Sequence, residues 1–72
     1  MSDKDIKKQF GKRIRELRLA KNLTQLDLSV IINTDNKHLS HIELGHVDVK
    51  LTTIHRLADA LEIDIRELFK GD

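Results

Sequence analysis

The 72-residue chain contains neither proline nor cysteine. Without proline, no helix interior is interrupted. Without cysteine, there are no disulfide staples and no thiolate metal sites. A chain of this length buries only about 60% of the surface that its unfolded form exposes. It therefore has to be held by one apolar core, as a single domain over residues 1–72, with no room for a separate catalytic domain. Hydrophobic residues make up 39% and charged residues 35%, which suits a globular domain better than a disordered one. No apolar run approaches the roughly 18 residues of a membrane span. The opening MSDKDIKKQF has no apolar stretch resembling a signal peptide. A cytoplasmic protein is expected.

Apolar periodicity divides the chain into five helices. Ile6, Phe10, Ile14 and Leu17 recur at helical spacing and predict a helix over 4–21, capped by Ser2 or Asp3 and stopped by a left-handed Asn22. Thr24 caps a second helix with Asp27 three residues on, running to about Ile32. Asn33 falls where the chain needs a sharp turn, and Asn tolerates positive φ. Asp35 caps a third helix that stops at Gly45. Residues 46–50 form a loop. A fourth helix spans 51–61 with Leu51, Ile54, Leu57, Ala58 and Leu61 inward. Asp64 and Glu67 read as a capping box for a short fifth helix ending near Phe69. The expected architecture is all-α, a compact five-helix bundle.

Charge is uneven. Residues 1–21 carry eight Lys/Arg against three acids, a net of +5; residues 22–72 carry five against nine, a net of −4. A basic first third suits a polyanionic partner, although a solvated helix face has the same composition.

The second and third helices are separated by only a few residues, which is helix-turn-helix spacing over about 24–44. Such a pair holds its second helix at a steep angle to the first, able to enter a major groove. The residues within that spacing are more specific. The segment FGKRIRELRLAKNLTQLDLSVIINTDNKHLSHIELG closely resembles the XRE, or Cro/CI-type, helix-turn-helix repressor family at Ile14, Arg18, Leu23, Thr24-Gln25, Leu28-Ser29, Asn33, Leu39, Ile42-Glu43 and Gly45. The tail LTTIHRLADALEIDIRELF is similar to the family's last two helices at Leu51, Ile54, Leu57-Ala58, Leu61, Ile63 and Leu68. Asn33 replaces the usual turn glycine, Ser29 a small alanine, and Val49 a proline. The last change resembles the small controller proteins of restriction–modification systems. Leu26 and Val30 are apolar where family members mostly carry polar residues.

The resemblance implies a lambda-repressor-like DNA-binding domain and a sequence-specific transcriptional regulator of double-stranded DNA. It places Asn36, Lys37 and His41 toward base edges, with Ser40 beside them. Gln25 would bind phosphate at a helix N-terminus. His38 would either touch phosphate or cover the core, and the basic loop residue Lys50 would add a phosphate contact. Arg18 and Glu43 would form a largely buried ion pair that fixes the third helix and touches no DNA. One half-site of about three to five base pairs rarely supplies enough affinity, so a homodimer on a palindrome is expected. Helices 51–69 would supply its interface through Ile63, Ile65, Leu68 and Phe69, which carry more apolar surface than a short terminal helix needs for itself.

His38 and His41 are spaced i, i+3, with His46 nearby, but no carboxylate or cysteine completes a tetrahedral set, so no metal is expected. Nor does the chain carry a nucleophile–base motif or a glycine-rich phosphate loop; no enzyme activity and no cofactor are expected. The competing reading is an antitoxin or other protein-interaction module on the same fold, using Leu26, Val30 and the basic first helix.

Overall fold

The computed structural model describes residues 1–70; the last two residues of the expected 1–72 domain lie outside the described residues. The elements are α1 (Asp3–Ala20), α2 (Gln25–Ile31), α3 (Asn36–Leu44), α4 (Leu51–Ala60) and a C-terminal 3₁₀ helix (Ile65–Phe69). Among the described residues there are thus four α-helices, one 3₁₀ helix and no strand.

Local chemistry sets the boundaries. Ser2 and Asp5 form a capping box at α1, as do Thr24 and Asp27 at α2. At α2, Thr24 Oγ1 accepts from the Asp27 amide at 3.0 Å, and the Asp27 carboxylate accepts from the Thr24 amide at 2.9 Å. The bond from the Thr24 amide, and then the nearby Thr24 hydroxyl, hold the Asp27 carboxyl below the usual carboxylate range. Asp35 caps α3 through the His38 amide. Asn22, Asn33 and Gly45 adopt left-handed φ of 58°, 59° and 76°, each just past a helix end. Glu62, which nothing in the sequence singled out, does the same after α4 at 57°.

The fifth element departs from expectation. Asp64 accepts from the Arg66 amide at 2.8 Å, two residues on, and the Glu67 amide bonds the Asp64 carbonyl at 2.9 Å in the i→i+3 pattern of a 3₁₀ turn. The Glu67 carboxylate is drawn to Lys70 (2.6 Å) and Arg13 (3.7 Å), so the Asp64–Glu67 capping box does not form. Arg13 Nε also donates to the Glu67 carbonyl at 2.8 Å, tying the segment to α1. A five-residue segment held at both its side chain and its main chain keeps the tighter winding.

Phe10 and Ile14 of α1, Leu28 and Ile32 around α2, Leu39 and Ile42 of α3, and Leu57, Ala58 and Leu61 of α4 build the core with Leu68. Two expectations are corrected here. Ile6 and Leu51, at inward-facing periods, are 49% and 76% exposed, because the first turns of α1 and α4 extend past the edge of the core. Leu68, expected at a dimer surface, is completely buried in the chain's own core, and Ile63 packs against that core. Leu68 therefore offers no open side chain to a second copy, while Ile63 is half-buried. Ile65 (38%) and Phe69 (52%) remain exposed, the latter with its ring 5.4 Å from that of Phe10.

The contact that positions α3 runs through two glycines. A Cβ on Gly11 would lie 2.3 Å from the Ile42 carbonyl oxygen and 2.6 Å from that of Glu43. A Cβ on Gly45 would lie 2.7 Å from the Lys8 Cα. The C-terminal turn of α3 therefore rests directly on the main chain of α1.

Candidate nucleic-acid interface

α3 presents two faces of opposite chemistry. Leu39, Ile42 and Glu43 are buried. Away from them, Lys37 and His41 lie one turn apart, as do Asn36 and Ser40. Asn36, Lys37 and His38 are exposed; Ser40 and His41 are half-buried. The helix thus turns amide, ammonium, hydroxyl and imidazole groups outward, each able to meet base edges or phosphates.

The buried face is fastened by charge. Arg18 Nε donates to Glu43 Oε2 at 2.7 Å and Nη2 to Oε1 at 3.1 Å, with the two side chains 8% and 2% exposed. Arg18 Nη1 donates to the Leu23 carbonyl at 2.8 Å, joining the end of α1 to the start of the α2 cap. Gln25 Nε2 completes the group by donating to Glu43 Oε1 at 3.0 Å. A buried carboxylate with three donors and a guanidinium spread over two acceptors satisfy the demand that buried charges be paired. Among the described residues no buried side-chain nitrogen or oxygen lacks a partner. Gln25 is therefore brought to the junction of α2 with α3, its amide nitrogen held inward at the N-terminal turn of α2. This inward bond joins residues 18 positions apart and has no local sequence signal.

Lys50 stands at the N-cap of α4, exposed, and makes no side-chain cap bond. The structure does not bring it into the Arg18–Glu43 group. His41 has an unforeseen neighbour: its Nδ1 lies 3.2 Å from His46 Nδ1, with ring centroids 5.5 Å apart. Among the described residues, no three side chains of His, Cys, Asp or Glu converge on a site for a metal ion. On α2, Leu26 and Val30 are 61% and 69% exposed, so neither is absorbed by packing within the chain. No helix among the described residues is long and apolar enough to cross a membrane.

A short helix pair whose second member is bolted to the scaffold on one side and polar on the other defines a class, the DNA-binding transcriptional regulators of helix-turn-helix type. The chain belongs to the helix-turn-helix family, XRE type: the family's model matches residues 14–68. It is 35% identical over 66 residues to the control protein C.MunI of Mycoplasma sp, covering 90% of this chain and 89% of that one. Among solved structures, it is similar to the restriction-modification controller protein C.AhdI from Aeromonas hydrophila, with 45% identity and a TM-score of 0.84, over 90% of this chain and 97% of that one. The hypothetical transcription factor NHTF from Neisseria shares the fold at a TM-score of 0.87 with 21% identity, over 99% of this chain and 82% of that one.

Proposed function

We propose that the chain is a transcriptional controller of the restriction–modification kind, acting as a single domain that binds a palindromic double-stranded operator as a homodimer. The observation that carries this reading is the likeness to two controller proteins over nearly their whole length. In this reading α3 enters the major groove. Asn36 reads adenine through N6 and N7, Lys37 and His41 reach base edges one turn apart, and Ser40 supports them. Gln25 gives one Nε2 hydrogen to Glu43 and offers the other to a phosphate, beside the main-chain amides of the α2 N-terminus. His38 and Lys50, both exposed, add phosphate contacts on either side.

The dimer surface takes a different composition from the sequence expectation. Leu51 and Ile65 line one shallow apolar hollow with Thr52, His55 and Arg56. With Leu68 given to the core and Ile63 half-buried against it, Leu51 and Ile65 form the apolar centre of the proposed interface; the exposed Phe69 lines a different hollow, with Ile6 and Phe10. A helix-turn-helix dimer sets its two recognition helices about one turn of DNA apart.

Selection from a random double-stranded DNA pool tests the reading. The expected product is an inverted repeat with half-site centres about 10 base pairs apart or a multiple of that. Recovery of no common sequence, or of an asymmetric one bound by a monomer, overturns it.

A further inference from the structure

We propose that His46 is a positioning residue for DNA reading: it holds the His41 ring so that Nε2 is the one ring nitrogen His41 offers to a base. The proposal rests on the reading of His41 as a base contact.

The backbone brings the two rings together. Gly45 turns left-handed at a φ of 76°, its amide bonds the Ile42 carbonyl at 3.1 Å, and the His46 amide bonds the His41 carbonyl at 2.9 Å. This double bond pattern is the Schellman ending, in which the second residue past the helix folds back over the residue five positions earlier. An apolar pair usually fills that contact. Here two imidazoles fill it, Nδ1 against Nδ1 at 3.2 Å.

An N–H···N bond requires one donor and one acceptor. A neutral imidazole has a single ring hydrogen, so using Nδ1 in the pair decides what Nε2 can do. If His46 donates, His41 carries its hydrogen on Nε2 and donates to an acceptor such as guanine N7 or O6. If His41 donates, its Nε2 is bare and accepts from an amine such as cytosine N4 or adenine N6. A solitary histidine samples both forms and discriminates poorly between the two kinds of base edge. The pair also fixes the ring plane, because the partner is mounted on a hydrogen-bonded turn rather than on a free loop. Without His46, His41 loses both constraints while the Schellman bonds, which are main-chain, survive.

The test uses the full chain with three substitutions. Ring-nitrogen NMR of the free protein should show one hydrogen between the Nδ1 atoms of His41 and His46, so that the His41 tautomer is tied to that of His46; His46→Ala should release it. His46→Phe keeps a ring against His41 but removes the nitrogen, and should behave as His46→Ala does. In selections from random double-stranded DNA, both variants should relax preference several-fold at the base pair that His41→Ala also relaxes, with other positions and the melting temperature unchanged. If His41→Ala alters the selected sequence while both His46 variants keep the wild-type preference and tautomer, the positioning role is overturned and the base contact stands. Wild-type behaviour of His46→Phe alone overturns it too, since bulk rather than the hydrogen bond would then hold the ring. If His41→Ala leaves the selected sequence untouched, the base contact itself is wrong and the proposal falls with it.

Discussion

Arg18 and Glu43 join the first helix to the third through a buried bidentate ion pair. The pair is almost dry, and Glu43 also serves Gln25. Arg18→Met should lower stability by roughly 3–5 kcal/mol, because it strands a buried carboxylate. Denaturant unfolding of Arg18→Met, Glu43→Met and the double variant checks this: the double variant should recover part of the loss, and additive losses would show that no coupling exists. The outward residues should behave in the opposite way. Asn36→Ala or Lys37→Ala should each weaken specific DNA binding by about 1–3 kcal/mol and leave the melting temperature unchanged. Lys50→Ala should weaken specific and non-specific DNA alike and reduce the salt dependence of binding by about one unit in the slope of log K against log salt. Anisotropy titrations at several salt concentrations separate these cases; a base preference altered by Lys50→Ala would refute the phosphate assignment.

At the level of elements, most helix ends were legible in the sequence because capping is local chemistry. Ser2, Thr24, Asp35, Asn22, Asn33 and Gly45 act where their types predict. What was not legible depended on distant partners. Glu67 was available as a capping residue only until Arg13 and Lys70 claimed it. Leu51 fits the period of α4, yet period says nothing about where the core ends. The His41–His46 contact lay within reach of the reading, since a left-handed glycine ending a helix implies a fold-back over the residue five positions earlier. The caps also carry a pH consequence. The Asp27 carboxyl titrates below its ordinary range in the folded chain, chiefly through the backbone bond from Thr24 and then its hydroxyl. A carboxyl depressed on folding adds stability that is complete above about pH 4, the unfolded value, and is lost as pH falls through the lower folded value. The stability difference between the wild type and Asp27→Ala should therefore be constant near neutrality and shrink below about pH 4. A difference that stays constant down to pH 2 would exclude the cap as its source.

The whole molecule separates two kinds of apolar residue that one stretch of sequence could not distinguish. Leu68→Ala should destabilise the fold by about 2–5 kcal/mol, as a completely buried leucine does. Leu51→Glu and Ile65→Glu should leave folding intact, give monomers in sedimentation, and weaken operator binding steeply. Folded dimers that ignore both changes would move the interface elsewhere, with the exposed Leu26 and Val30 the next place to look. The sequence carried the order of the helices and the pair that pins α3, but burial in a 3₁₀ segment follows the docking of that segment on α1 rather than any period. One earlier feature bears on how such proteins diversify. Gly11 and Gly45 set main chain against main chain, where no rotamer can yield, so α3 has a single seat and a single rotation about its own axis. The inward half of that helix is a mount, and the outward half is interchangeable type. On the proposed reading, new operators arise by swapping residues 36, 37, 40 and 41 together with the positioning residue 46, whereas a lone methyl at residue 11 would tilt every letter at once.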